Sequence, residues 1–268
     1  MLFQASDVAS YQQTVMPLAT PRNDDISQLI ASGRHRTAGT TRTIDFARGP
    51  IGPGYRGRTD PDFDYVRRER GRLVGFVPLF TSSGAPVWGY GDPRSSSWSL
   101  RSAGVELAKG RSEIRLREAV PQDERTYVLT GVSHPNSPLW TLSTSVRDRW
   151  TFRFGGDRTA AALLTPRYAP PVSMVGTMSP GPTSFPLSFV SLTQDKHPIQ
   201  RAQVQLSTDD GATWSDARLT RLSPTAFRVG YVNPGATPGR GFMSIRIVAR
   251  DGRGNRVVET AMRVYRLR

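Results

Sequence analysis

"FMSIRIVARDGRGNRVVETAMRVYRL", residues 242–267, carries the pattern on which the fold turns. In its first arm Met243, Ile245, Ile247 and Ala249 alternate with Ser244, Arg246 and Arg250. That is the two-residue period of a strand with one face in a core and the other in water. In its second arm Val258, Thr260, Met262 and Val264 align on one face. Between the arms, "DGRGN" gathers residues that tolerate positive φ or close a turn with their own side chains. Half-buried antiparallel strands joined by such loops are the building unit of a β-sandwich.

The same period recurs upstream. "AFRVGYV" opposes Phe227, Val229 and Tyr231 to Arg228 and Gly230, and "AQVQLSTD" opposes Val204 and Leu206 to Gln203 and Gln205. "DRWTFRF" sets Trp150, Phe152 and Phe154 against Arg149, Thr151 and Arg153. "TRTIDFAR", "GRLVGFVPLF" and "RTYVLTGV" are further strand candidates, the second apolar on both faces as a central strand would be. "WSLRSAGVELAKG" reads as a hairpin turning at Ala103-Gly104. With 25 glycines and 21 prolines in 268 residues, the composition favours many short strands joined by turns over helices.

Two stretches break this texture. Near the start, "SDVASYQQTV" with Ser6 as N-cap and "NDDISQLIASG" running to Gly33 read as short helices, stable only when docked. "GGDRTAAALLTPRYAPP", residues 155–171, reads as an interdomain linker. The expected organisation is all-β: a partly helical or loose N-terminal arm (1–37), a first β-sandwich module (38–158), a linker (159–167), and a C-terminal fibronectin- or immunoglobulin-like sandwich (168–268) able to fold alone.

Lys109 and Lys196 are the only lysines among 36 basic residues, and the net charge is +14. The arginines suit acidic surfaces or polymers; they equally fit a coding bias that writes Arg for Lys. They are scattered, with no basic helix, zinc finger or aromatic RNA-binding strand, so specific nucleic-acid binding is not expected. The absence of cysteine excludes disulfides, thiolate metal sites and a cysteine nucleophile. No apolar run reaches the roughly 20 residues of a membrane span. The first 20 residues lack the basic start and apolar core of a signal peptide.

No catalytic, cofactor or metal residue is expected. His134 and His197 each precede a proline, without a nearby partner at ligand spacing. "VGTMSPGP", residues 175–182, superficially resembles the Gly-Thr-Ser-Met-Ala-x-Pro run that holds the subtilisin nucleophile, but Met178 stands in the serine's place. Its prolines would stop the helix that follows, and no base is in sight for Ser179. "GPIGPGYRG" lacks the ending of a phosphate loop.

"STDDGATW", residues 207–214, places Ser207, Asp209, Gly211, Thr213 and Trp214 at the spacing of an Asp box, the hairpin repeated in sialidase-like propellers. A propeller needs several copies and there is one. The motif is therefore expected to be a structural turn between arms at about 202–208 and 213–219, with Trp214 packed on the neighbouring strand.

The hairpin at 242–267, taken with "VQLSTDDGATWSDARL", resembles the C-terminal end of large secreted subtilisin-like serine peptidases of high-GC Gram-positive bacteria. Those chains finish with an Asp-Gly-Gly-x-Thr-Trp turn and "SLR-x-x-A-x-D-x-x-G-N-x-x-x-x-T-x-x-R-A-Y". Ser244, Arg246, Ala249, Asp251, Gly254, Asn255, Thr260, Arg263 and Tyr265 match, with Ile245 for Leu and Val264 for Ala. "RGPIGPGY", "GRLVGFVPLF", "LRSAGVELAKG" and above all the "LST-x-V-x-x-x-WTF" element, Leu142 to Phe152, resemble the module before that ending, so the likeness spans roughly 40–268. It implies a non-catalytic module whose partner is a peptidase catalytic domain, of the same or a parent chain, or a cell-surface polymer. It also implies an extracellular location where the module is attached to such a parent. The turn is similar, too, to one in the dimerisation domain of sulfite oxidases, which leaves a dimerisation role open. A carbohydrate-binding or cell-wall adhesion module is the alternative, with Trp88, Tyr90, Trp98 and Trp140 as candidate stacking platforms.

Overall fold

The structure is a computed structural model that describes residues 10–15, 28–34, 49–55, 65–83, 87–90, 93–134, 140–158, 160–191 and 197–268. In chain order the strands are β1 (Ser10–Val15), β2 (Gln28–Arg34), β3 (Ile51–Gly52), β4 (Tyr65–Glu69), β5 (Arg72–Val77), β6 (Phe80–Ser82), β7 (Val87–Tyr90), β8 (Ser96–Ser102), β9 (Val105–Gly110), β10 (Ile114–Ala119), β11 (Arg125–Ser133), β12 (Ser145–Phe154), β13 (Thr165–Tyr168), β14 (Thr177–Met178), β15 (Gly181–Val190), β16 (Ile199–Ser207), β17 (Ser215–Asp216), β18 (Arg218–Ser223), β19 (Ala226–Asn233), β20 (Phe242–Asp251) and β21 (Arg256–Leu267). A 3-10 turn at Pro93–Ser95 is the only helical element among the described residues. The protein is all-β, as its patterning predicts.

The largest sheet runs β17-β16-β20-β21-β12-β11-β8-β9, with β14 added in parallel to β21. Three further sheets have the orders β13-β15-β19-β18, β10-β5-β4 and β1-β2-β7-β6-β3. They pack on one face of the large sheet. A methyl at Gly131 of β11 would touch Leu79, Pro53 and Ile114. On the other half, Tyr168 of β13 stacks on Phe185 of β15 and donates its hydroxyl to Glu259 of β21. Each long strand of the large sheet turns alternate residues into this core: Val146, Trp150, Phe152 and Phe154 on β12, Val204 and Leu206 on β16, Ile245, Ile247 and Ala249 on β20.

The stretch 159–167 departs from the linker reading. Ala161, Leu163 and Leu164 are buried, Thr165 begins β13, and the Trp150 indole donates to the Leu164 carbonyl at 2.9 Å. β12 and β21 are hydrogen-bonded neighbours from Ser145↔Met262 to Thr151↔Arg256. One sheet therefore runs without a break through both halves of the sequence. Gly54 (φ +107) allows the 49–55 loop to lie over this junction, where even a methyl would crowd Thr165 and Trp150.

The helices expected in the N-terminal arm are not found. Ser10–Val15 and Gln28–Arg34 are strands, paired antiparallel, with β2 continuing onto β7. Short segments with little helical stability of their own take the hydrogen bonds that a sheet edge offers. The rest of both helix readings, and "TRTIDFAR", lie outside the described residues. On β21 the core face is the one opposite to the aligned set: Val257, Glu259 and Ala261 are buried, and Val258, Thr260 and Met262 face outward. Arg263, at φ +54, then breaks the alternation so that Val264 and Tyr265 both turn in.

Candidate functional site

The 207–214 turn closes on itself. Asp209 Oδ1 accepts from the Thr213 amide at 2.9 Å, and Oδ2 from the Thr213 hydroxyl at 2.5 Å. The Ser207 hydroxyl donates to Asp209 Oδ1 at 2.7 Å and accepts from the Gly211 amide at 2.8 Å. Asp210 and Gly211 both lie at positive φ, 52° and 85°, and Gly211 meets that demand without strain. The Trp214 indole donates back to the Gly211 carbonyl at 2.9 Å, and Arg246 of β20 covers its ring at 4.1 Å. The arm before the turn is β16, as expected. The second arm holds only Ser215–Asp216, after which the chain crosses to β18 in the facing sheet.

The Thr213 hydroxyl, then the Thr213 amide and the Ser207 hydroxyl, hold the Asp209 carboxyl well below the usual carboxylate range. A depressed folded value stabilises the fold above the unfolded carboxylate pKa of about 3.9 and loses that contribution as pH falls toward the folded value. Asp209→Ala is therefore expected to lower the melting temperature at pH 7 and to narrow its gap from wild type as the pH drops below about 3.9. Thermal melts across pH 2 to 7 check this; a gap constant in pH would show that the carboxylate does not cap the turn.

Beside the turn lies a cleft of about 280 Å³ lined by Thr208, Asp210, Thr237, Gly239, Gly241, Phe242 and Arg263. Arg263 spans it with a two-pronged ion pair to Asp210, Nε–Oδ1 at 2.9 Å and Nη2–Oδ2 at 2.7 Å, and its guanidinium lies 4.7 Å from the Phe242 ring centre. Both partners sit at positive φ. Hydrogen bonding to Arg263 lowers the Asp210 carboxyl, and the same pairing raises the guanidinium. The pair ties the turn to the end of β21 and leaves neither charge unsatisfied.

The other candidates are dispersed. Trp88 and Tyr90 lie on β7, between β2 and β6. Trp98 and Trp140 are half-buried and pack against the hydrophobic core rather than standing in solvent; Trp98 faces Gly110 across the β8–β9 hairpin. Met178 of "VGTMSPGP" is buried on β14, and exposed Ser179 uses its carbonyl to accept from Asn233. His134 is exposed and His197 half-buried, and no three of His, Asp and Glu converge among the described residues.

Two buried acids carried no expectation. Asp148 on β12 and Glu259 on β21 are opposite one another in register, both fully buried. Glu259 accepts from the Tyr168 hydroxyl at 2.5 Å, and neither acid lacks a partner. The signal was present in the alternation: Asp148 falls on the face of Val146 and Trp150, and Glu259 on that of Val257 and Ala261. A second buried network joins the Tyr265 hydroxyl to Asn233 at 2.8 Å and to Tyr231 at 2.6 Å. Burial pushes the Tyr231 phenol up to about 12.

A comparison with protein-family models finds no match along the chain, and no curated protein matches it. Among solved structures the chain is similar to the sulfane dehydrogenase SoxCD from Paracoccus pantotrophus, at 12% identity over 91% of this chain and 80% of that chain, with a TM-score of 0.29. Likeness at that TM-score carries no argument about architecture or activity.

Proposed function

We propose that the chain is a non-catalytic accessory module of a secreted subtilisin-like serine peptidase, packing on the catalytic domain or holding it at a surface or substrate. The observation that carries this reading is where the resembling motifs fall. The "LST-x-V-x-x-x-WTF" element forms β12 and the C-terminal ending forms β20 and β21, and β12 and β21 are hydrogen-bonded neighbours at the centre of one sheet. Motifs a hundred residues apart in sequence thus make one structural unit, as a shared ancestral module would require. The polar side chains of the 207–214 turn bond chiefly to one another, which supports a structural role for that motif over a catalytic one.

The same proposal takes the C-terminal half as immunoglobulin- or fibronectin-like. The order β13-β15-β19-β18 facing β17-β16-β20-β21 corresponds to ABED against C′CFG. The stacking form of the carbohydrate alternative draws less support, because Trp98 and Trp140 pack on the core and Arg246 covers one face of Trp214.

The purified chain is expected neither to react with a fluorophosphonate serine probe nor to cleave casein. Stoichiometric labelling of any serine would overturn the non-catalytic reading. The immobilised full chain is expected to retain, from the secreted proteins of its source, a peptidase that does react with the probe, unless the coding DNA upstream of Met1 continues in frame into one. If there is neither a captured peptidase nor an in-frame peptidase coding region, the peptidase association falls.

A further inference from the structure

We propose that the outward face of the large sheet is a docking surface for a linear acidic polysaccharide. This names the surface and ligand behind the anchoring half of the function proposed above, yet it rests on the sheet alone. Because its test uses the isolated chain without a peptidase, either idea can fail while the other stands.

The register builds the surface. Arg201 on β16 is opposite Arg250 on β20, and Arg250 is opposite Arg256 on β21. Three guanidinium side chains therefore line up across three adjacent strands, spaced by about 4.8 Å. One step along, Arg149 of β12 is opposite Val258. One step further, Arg246 and Arg147 flank Thr260 from either side. Arg147, Arg149, Arg201 and Arg250 are exposed, and Arg246 and Arg256 half-buried. The acids of the central strands, Asp148 and Glu259, point to the opposite, buried face.

Like charges directly opposite one another destabilise a sheet. Here no ion pair among the described residues includes Arg147, Arg149, Arg201, Arg250 or Arg256. Elsewhere on the surface the protein supplies such partners: Arg263 has Asp210, Arg153 and Arg158 share Glu124, and Arg101 has Glu106. A row of directly opposed arginines left without carboxylate partners is a surface waiting for anions. Guanidinium groups grip carboxylate in two-pronged fashion.

The residues between the arginines choose among polyanions. Gln205, Thr130, Thr151 and Thr260 share the same outward face, and their amides and hydroxyls suit the hydroxyls of a sugar chain; Gln203 beside them already donates to Asp216 at the sheet's β17 edge. Single-stranded nucleic acid is held by base stacking on aromatic rings. Trp214, the ring that touches this face, is already covered by Arg246. Duplex nucleic acid is read by an element that enters a groove, and a sheet face offers none. A flexible acidic chain lying across the strands meets one arginine per strand.

The experiment measures binding of the full chain to polygalacturonate at low ionic strength, by affinity electrophoresis and calorimetry, with dextran and a duplex DNA as comparisons. The triple variant Arg149→Gln, Arg201→Gln, Arg250→Gln is set beside a charge-matched control, Arg117→Gln, Arg218→Gln, Arg228→Gln, on exposed positions of the other sheets. Wild type is expected to bind polygalacturonate and not dextran. The face triple should lower affinity about tenfold or more and flatten the salt dependence by about one unit of slope per arginine, the scale seen for phosphate contacts. The control triple should change affinity less than about twofold, and neither variant should melt below wild type, the face triple being relieved of like charges set opposite one another. Absence of binding, or equal loss in both triples, would overturn the assignment of this face. Tighter binding of the duplex through the same three arginines would overturn its polysaccharide ligand.

Discussion

Trp150→Ala is expected to destabilise the protein by about 3–5 kcal/mol, the range for removing a buried large aromatic. The ring is fully buried at the middle of β12, and three separate parts of the chain depend on it. Its indole nitrogen donates to the Leu164 carbonyl, which fixes the 161–165 segment; Gly54 of the 49–55 loop approaches its edge; and its strand neighbours Leu129 and Val257 pack beside it. Alanine leaves a cavity and a buried carbonyl without its donor. Trp150→Phe keeps most of the volume and loses the hydrogen bond, so it should cost about 1–3 kcal/mol. Urea unfolding of the two variants separates packing from hydrogen bonding. A loss under about 1 kcal/mol for alanine would mean that the 49–55 loop and the 161–165 segment are not seated on this ring.

Cutting the chain before Thr165 tests how far the two halves depend on each other. The piece 165–268 keeps β13 through β21, with its own two sheets and its own core residues Tyr168, Phe185, Val229 and Ile247. We propose that it folds. It loses β12, however, and with it seven register pairs along β21. At about 0.2–1 kcal/mol for each cross-strand pair, that is a few kcal/mol, and for a piece of about 100 residues each kcal/mol shifts the melting temperature by about 4–8 °C. A cooperative transition more than about 10 °C below that of the full chain is therefore expected, with self-association through the bared β21 edge at raised concentration. Scanning calorimetry and sedimentation check both. A melt equal to that of the full chain would show that the junction adds nothing, and a flat trace that the halves share one inseparable core.

Much of this architecture is legible from period alone. β11, β12, β16, β19 and β20 lie where alternation places them, and the β8–β9 hairpin turns at Ala103 and Gly104, both at positive φ. The closed hydrogen-bonding of 207–214 was likewise readable from Ser207, Asp209, Gly211, Thr213 and Trp214, since each bond spans four residues or fewer. The arm before β3 was misread because Ser10–Val15 and Gln28–Arg34 gain their hydrogen bonds from each other and from β7, partners that no local window contains.

What the sequence by itself determined, then, is everything set by neighbours in the chain: strand period, turn chemistry and the self-sufficient Asp209 turn. Only the tertiary structure decided which strands meet. The pairing of β12 with β21 carries one sheet across both halves and places Asp148 opposite Glu259 on the buried side, while the pairing of β20 with β16 and with β21 lines up Arg201, Arg250 and Arg256 on the other. The physical reason is that a strand shows its two faces in its own sequence, but its edges are uniform backbone. Edge partners are chosen by the packing of the whole core, and scattered arginines become a row only once that choice is made.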